Sequence, residues 1–143
     1  MSLLSLVTSY RDRCSRLLGR LTRRVLEWTG RLEPVQFTVT TIADHPDLTT
    51  LAPGQIYIVG DPAFQKWAFL KCPCGCGQPI MLSLSQKRRP RWRIEIDWYG
   101  RPTVKPSIWQ TAGCYSHFII KQGRIHWTAD TGRPHAKRVG NEG

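Results

Sequence analysis

The chain opens on a helical pattern. Leu3, Val7, Tyr10, Cys14, Leu17 and Leu21 recur at alternating steps of four and three, and Val25 and Trp28 prolong the stripe. That spacing lines one face of a helix. Arg11, Arg13, Arg16, Arg20, Arg23 and Arg24 spread over much of the rest, and Gly30 and Pro34 end the segment. The pattern predicts a basic amphipathic helix over residues 3 to about 30, with Cys14 as a core residue. Such a helix packs on its own domain, docks on a partner protein, or adsorbs to anionic lipid.

After Pro34 the period changes to two. Val35, Phe37 and Val39 alternate with Gln36, Thr38 and Thr40, as in a half-buried strand. Asp44 to Thr50 reads as a loop, and Pro53-Gly54 as a turn before a strand from Gln55 to Val59. A third strand, Lys66 to Lys71, runs into a cysteine-rich turn that a fourth strand, Pro79 to Leu84, leaves. Gln86 to Arg91 is a basic loop. Trp92, Ile94, Ile96 and Trp98 then alternate with Arg93, Glu95 and Asp97, and Tyr99-Gly100 turns the chain into Arg101 to Val104. Tyr115 to Ile120 and Arg124 to Thr128 flank Gln122-Gly123, a hairpin turn that sets Ile120 against Ile125 and Phe118 against Trp127. His117, Ile119, His126 and Thr128 then share the opposite face. The expected fold class is α+β. An N-terminal amphipathic helix (1–32) precedes a mainly antiparallel β body with a zinc knuckle (33–130), and a flexible basic tail (131–143) follows.

Charge narrows the setting. A formal net charge of +11 over 143 residues favours acidic proteins, nucleic acids or an anionic membrane surface, or serves solubility alone. Lys87, Arg88, Arg89, Arg91 and Arg93 interleave with Trp92, a combination suited to phosphate contact and base stacking. No apolar run reaches the ~18 residues of a membrane span. The arginine-studded start does not resemble a signal peptide, so a cytoplasmic, reducing setting is expected. Clustered cysteines there read as metal ligands.

The chemistry concentrates in Cys72-Pro73-Cys74-Gly75-Cys76. Thiolates bind zinc strongly, and four ligands close its tetrahedral shell. Cys72, Cys74 and Cys76 converge through a glycine-bent turn, and the fourth donor is Cys114 or His117. A sulfur-dominated site is structural, and no His-Glu-x-x-His motif supplies a catalytic zinc. Any hydrolytic nucleophile is then a side chain. If Cys114 completes the metal site, His117 is free to act as base to Ser107, oriented by Asp97, Glu95 or Asp130.

Cys72-Pro73-Cys74-Gly75-Cys76-Gly77, Pro106-Ser107-Ile108 and Cys114-Tyr115-Ser116-His117-Phe118, with Leu51-Ala52-Pro53-Gly54, Pro90-Arg91-Trp92 and Gly123 to Trp127, resemble a family of small bacterial proteins. The resemblance covers roughly residues 35 to 128 and leaves out the arm. Members are encoded beside ubiquitin-like proteins and their activating and conjugating enzymes, in clusters associated with antiphage defence. The resemblance implies a partner in ubiquitin-like conjugation and a peptidase that matures or removes the modifier. The alternative is a non-catalytic zinc-ribbon-like adaptor for protein or nucleic acid.

Overall fold

The computed structural model describes residues 3–61 and 63–133, with side chains from residue 8 onward. One helix, α1 (Leu3–Trp28), precedes eight strands: β1 (Thr38–Ile42), β2 (Gln55–Asp61), β3 (Phe64–Lys71), β4 (Pro79–Ser83), β5 (Arg93–Ile96), β6 (Pro102–Trp109), β7 (His117–Lys121) and β8 (Arg124–Trp127). They form two four-stranded sheets, ordered β1-β2-β3-β4 and β5-β6-β7-β8. Among the described residues only the β1–β2 pair is parallel. The expected α+β class and mainly antiparallel body hold. Among the described residues no helix is long and apolar enough to cross a membrane.

The two sheets share one core. Ile56, Ile58, Ala68, Leu70, Ile80 and Leu82 from the first pack with Val104, Ile108, Phe118 and Ile120 from the second, around Phe37. These alternate along their strands with outward residues, as burial of one sheet face requires. A smaller cluster of Leu51, Val59 and Phe69 covers the first sheet's other face.

The Gln122-Gly123 hairpin forms with the register read from sequence, Ile120 opposite Ile125 and Phe118 opposite Trp127. Both turn residues have positive φ, 49° and 75°, as a tight two-residue turn demands. Gly123 is also a structural node. Its carbonyl accepts from the amides of Gln36 and Phe37, and a Cβ there would meet Val35 at 2.9 Å.

Several strand boundaries move. The segment 34–37 is not a strand, and β1 begins at Thr38, because the Gln36 and Phe37 amides are spent on Gly123. β6 runs on to Trp109, through Pro106, so Ser107 lies within a strand rather than after one. Proline is tolerated there because pairing with β7 is interrupted. Val104 pairs with Ile120 and Ile108 with Phe118, which leaves residues 105–107 opposite Ile119 alone. The basic loop's Trp92 is not free for base stacking. It packs against the core, and its indole N–H donates to the Ser107 carbonyl at 3.2 Å.

The apolar stripe of α1 faces away from the body, as docking or adsorption requires and packing on its own domain does not. From residue 8 on, where its side chains are described, Gly19 and Arg23 are buried, whereas Leu17, Leu21, Val25 and Trp28 are exposed. Cys14, expected in the core, is exposed too. A Cβ on Gly19 would lie 2.0 Å from the Trp98 carbonyl oxygen, so only glycine admits this approach. Polar contacts complete the seat. Arg23 donates to the Tyr99 carbonyl at 3.3 Å and pairs with Glu27 at 3.4 Å, which accepts from the Val35 amide. The Trp98 indole donates to Ser15 at 3.1 Å. A cleft of about 730 Å³ opens beside that seat, lined by Asp12, Arg16 and Arg20 of α1 and by Ile94, Ile96 and Trp98.

At the other end, the Thr131 hydroxyl oxygen accepts from the His117 amide, and the Gly132 amide donates to the Tyr115 carbonyl. The rest of the expected tail, 134–143, lies outside the described residues.

Candidate active site and metal centre

Three elements bring three side chains into line. Ser107 sits in the irregular stretch of β6, His117 opens β7, and Asp130 lies in the turn after β8. The Ser107 hydroxyl is 2.9 Å from His117 Nε2, and the Asp130 carboxylate is 2.8 Å from His117 Nδ1. Sequence alone left three carboxylates open for this place. The other two are engaged elsewhere, Asp97 with Arg101 and Glu95 with Lys105.

The histidine is fixed from several sides. Its amide donates to Thr131 Oγ1 at 3.0 Å, and its carbonyl accepts from the Thr128 amide at 3.1 Å. Its ring stacks on Trp109, its register partner across β6–β7, with centroids 4.3 Å apart and planes 3° from parallel. Both ring nitrogens therefore stay in the plane that contains Ser107 and Asp130. The single hydroxyl proton of Thr128 lies between the Asp130 carboxylate at 2.6 Å and the His117 carbonyl at 3.0 Å. The charged carboxylate is the stronger acceptor. That bond first, and His117 second, hold the Asp130 carboxyl below its ordinary range against a partial desolvation. A serine, a base and an ionised carboxylate joined in this order can perform nucleophilic acyl transfer.

The candidate metal centre takes one of its cysteines, Cys114, from the segment that leads into His117. The sulfurs of Cys72, Cys74, Cys76 and Cys114 all fall within 4.8 Å of one another. Cys72 stands 3.4 Å from Cys74 and 3.8 Å from Cys114. A tetrahedral ion with metal–sulfur bonds of about 2.3 Å needs sulfurs about 3.8 Å apart, so the donor set fits. Of the two candidates for fourth donor, Cys114 has its sulfur beside the other three, whereas both ring nitrogens of His117 face Ser107 and Asp130. Four sulfurs leave no open position, so the group would supply cross-linking and charge neutralisation rather than an activated water. Burial pushes the Cys72 thiol up to about 12. At Cys74 burial also opposes ionisation, but bonds from Ser116, the Cys76 amide and the neighbouring thiols bring it down to about 6.

One segment joins the two centres. The buried Ser116 lies between Cys114 and His117 in sequence, with its hydroxyl 3.2 Å from the Cys114 sulfur. The Trp92 bond to the Ser107 carbonyl and the roles of Thr128, Thr131 and Trp109 escaped sequence reading. Only Trp109, an aromatic two residues past Ser107 and thus on its face of the strand, left a trace there.

No curated protein and no solved structure matches the chain. A family model does match, over residues 41–128, a span that holds the four cysteines, Ser107 and His117, but neither Asp130 nor α1. With more than half of its length matched, the chain belongs to the family described as bacterial ubiquitination-like system serine protease (BubE).

Proposed function

We propose that this chain is a serine peptidase that cleaves a ubiquitin-like protein at its C-terminal side, either maturing its precursor or releasing it from a conjugate. Ser107 is the nucleophile, His117 the general base, and Asp130 the residue that orients and charges His117. The observation that carries this reading is the unbroken chain from Ser107 through His117 to Asp130, at 2.9 and 2.8 Å. The family's description supports the substrate class.

As Ser107 Oγ attacks the scissile carbonyl, its proton passes to His117 Nε2. The imidazolium that forms is stabilised by Asp130 at Nδ1 and by the face of Trp109. His117 then gives the proton to the departing amine, and an acyl-enzyme remains on Ser107. Water, deprotonated by the same nitrogen, releases the ubiquitin-like carboxylate.

Zinc is the ion that this four-thiolate set suits best, in a structural role. Bound there it ties the β3–β4 turn to the segment before β7 and so fixes where His117 begins. Residues 33–130 form the catalytic body, and 1–32 an attached arm.

The test uses purified chain and a ubiquitin-like precursor encoded with it, with cleavage followed by intact mass. Ser107→Ala and His117→Ala should abolish cleavage while keeping the metal and substrate binding. A fluorophosphonate probe should label Ser107 and spare the His117 variant. Cleavage that survives Ser107→Ala would refute the assignment, and binding without cleavage by the unaltered chain would favour the adaptor.

A further inference from the structure

The outward face of α1 has no partner among the described residues. At 100° per residue, Tyr10, Leu17, Leu21 and Trp28 stack within about 20° of the line opposite Gly19. They are 70%, 59%, 59% and 86% exposed, and Leu18 and Val25, both 58% exposed, widen the stripe on one side. A contiguous apolar patch of this kind on a small protein marks an interaction site.

The charges beside the stripe are all of one sign. Arg13 and Arg24 border it on one edge and Arg11 on the other, all exposed. The helix's acidic residues, Asp12 and Glu27, fall on the side that faces the body, and Glu27 is held there by Arg23 and the Val35 amide. The surface therefore asks for a partner that is apolar in the middle and negative on both flanks. A second copy of α1 would meet the stripe but would set arginines against arginines with no acid to match. An anionic bilayer satisfies both requirements, with acyl chains below the stripe and phosphates at the height of the arginine heads. Trp28 and Tyr10, amphipathic aromatics within the stripe, suit the same depth.

We propose that α1 lies in the interface of an anionic membrane, its Tyr10–Trp28 stripe among the acyl chains and its arginines on the headgroup phosphates, with the β body held on the aqueous side. Gly19, by bringing the opposite face against Trp98, fixes the body's orientation to that surface.

The test is co-sedimentation of the full chain with vesicles of phosphatidylcholine alone or of phosphatidylcholine and phosphatidylglycerol in equal parts. Binding is expected to the mixed vesicles and not to the neutral ones. Leu17→Glu with Leu21→Glu should abolish it while leaving helix content and metal content unchanged, because both side chains are exposed. Arg13→Gln and Arg24→Gln should each weaken it about fivefold. Failure to bind the mixed vesicles, equal binding to neutral ones, or full binding by the Leu17/Leu21 variant would each overturn the proposal. So would a solution dimer, or a complex with an acidic protein, that depends on the stripe while vesicles go unbound. These readouts are independent of peptidase activity.

Discussion

Asp130 offers the sharpest quantitative test, because it lies outside the family match and is joined to His117 by one contact. Consider Asp130→Asn, which keeps the shape and removes the charge. In the proposed mechanism the carboxylate stabilises the imidazolium that forms as Ser107 attacks. For charge centres about 4 Å apart, the attraction is ~4 kcal/mol at an effective dielectric of 20 and ~1 kcal/mol in water. The side chains of His117 and Asp130 are 14% and 43% exposed, which places this pair between those limits. A loss of ~2–3 kcal/mol corresponds to about 30- to 150-fold in rate. A fully buried carboxylate in such a triad is worth about 10⁴, part of it through the histidine tautomer. Here Thr128 donates to the same oxygen that faces Nδ1, which favours the amide oxygen of Asn at that place and preserves the tautomer. We therefore expect Asp130→Asn to lower kcat/KM about 100-fold, through kcat, and Asp130→Ala to cost about tenfold more as orientation is lost too. The assay is single-turnover cleavage of the ubiquitin-like precursor, with Ser107→Ala as the floor. An unchanged kcat, or an effect confined to KM, would refute the role. The pH dependence carries a sign. Because the folded Asp130 carboxyl sits below its ordinary 3.8, its contribution is complete above that value and is lost only as pH falls through the lower folded one.

Cys72→Ser should lose the metal, lower the melting temperature and abolish cleavage, checked by elemental analysis, calorimetry and the precursor assay, since metal binding is coupled to folding. Metal binding near pH 7 should release about two to three protons, because Cys72, at about 12, and Cys76, raised by burial and then by its thiol neighbours against the Gln78 amide, hold theirs, while Cys74, at about 6, is largely ionised. Calorimetry in two buffers of different ionisation enthalpy reads that number, and release of fewer than one proton would contradict the site. Gly19→Leu should detach the arm without unfolding the body. Proteolysis should then cut near residue 30 faster while the metal stays bound, and a protein that unfolds outright would show the arm to be part of the core.

What the sequence made legible follows from how local each cause is. Gln122-Gly123 fixes its hairpin register by turn geometry alone, and that register put His117 on the face away from Phe118. Five candidate ligands for four positions left either Cys114 or His117 spare, and only the 2.9 Å contact between Ser107 and His117 shows which. Asp130 could not be separated from Asp97 and Glu95, because the choice depends on a turn 13 residues beyond His117. The helix left more open. Periodicity locates an apolar face but does not say what covers it. Here a glycine's close approach and an arginine–glutamate pair seat the opposite face. Pro106 likewise signalled a strand end, and only an interrupted ladder lets β6 pass through it.

In the proposed reading, the short run from Cys114 to His117 places a metal ligand and a general base on the same few residues. Inhibitor profiling would then misclassify a peptidase of this kind. A chelator would silence it although no metal touches the scissile bond, and so would a thiol alkylator reaching exposed Cys74 or Cys76, although no sulfur attacks it. Only covalent capture of Ser107 would distinguish the alcohol that does the chemistry from the sulfurs that hold its partner in place.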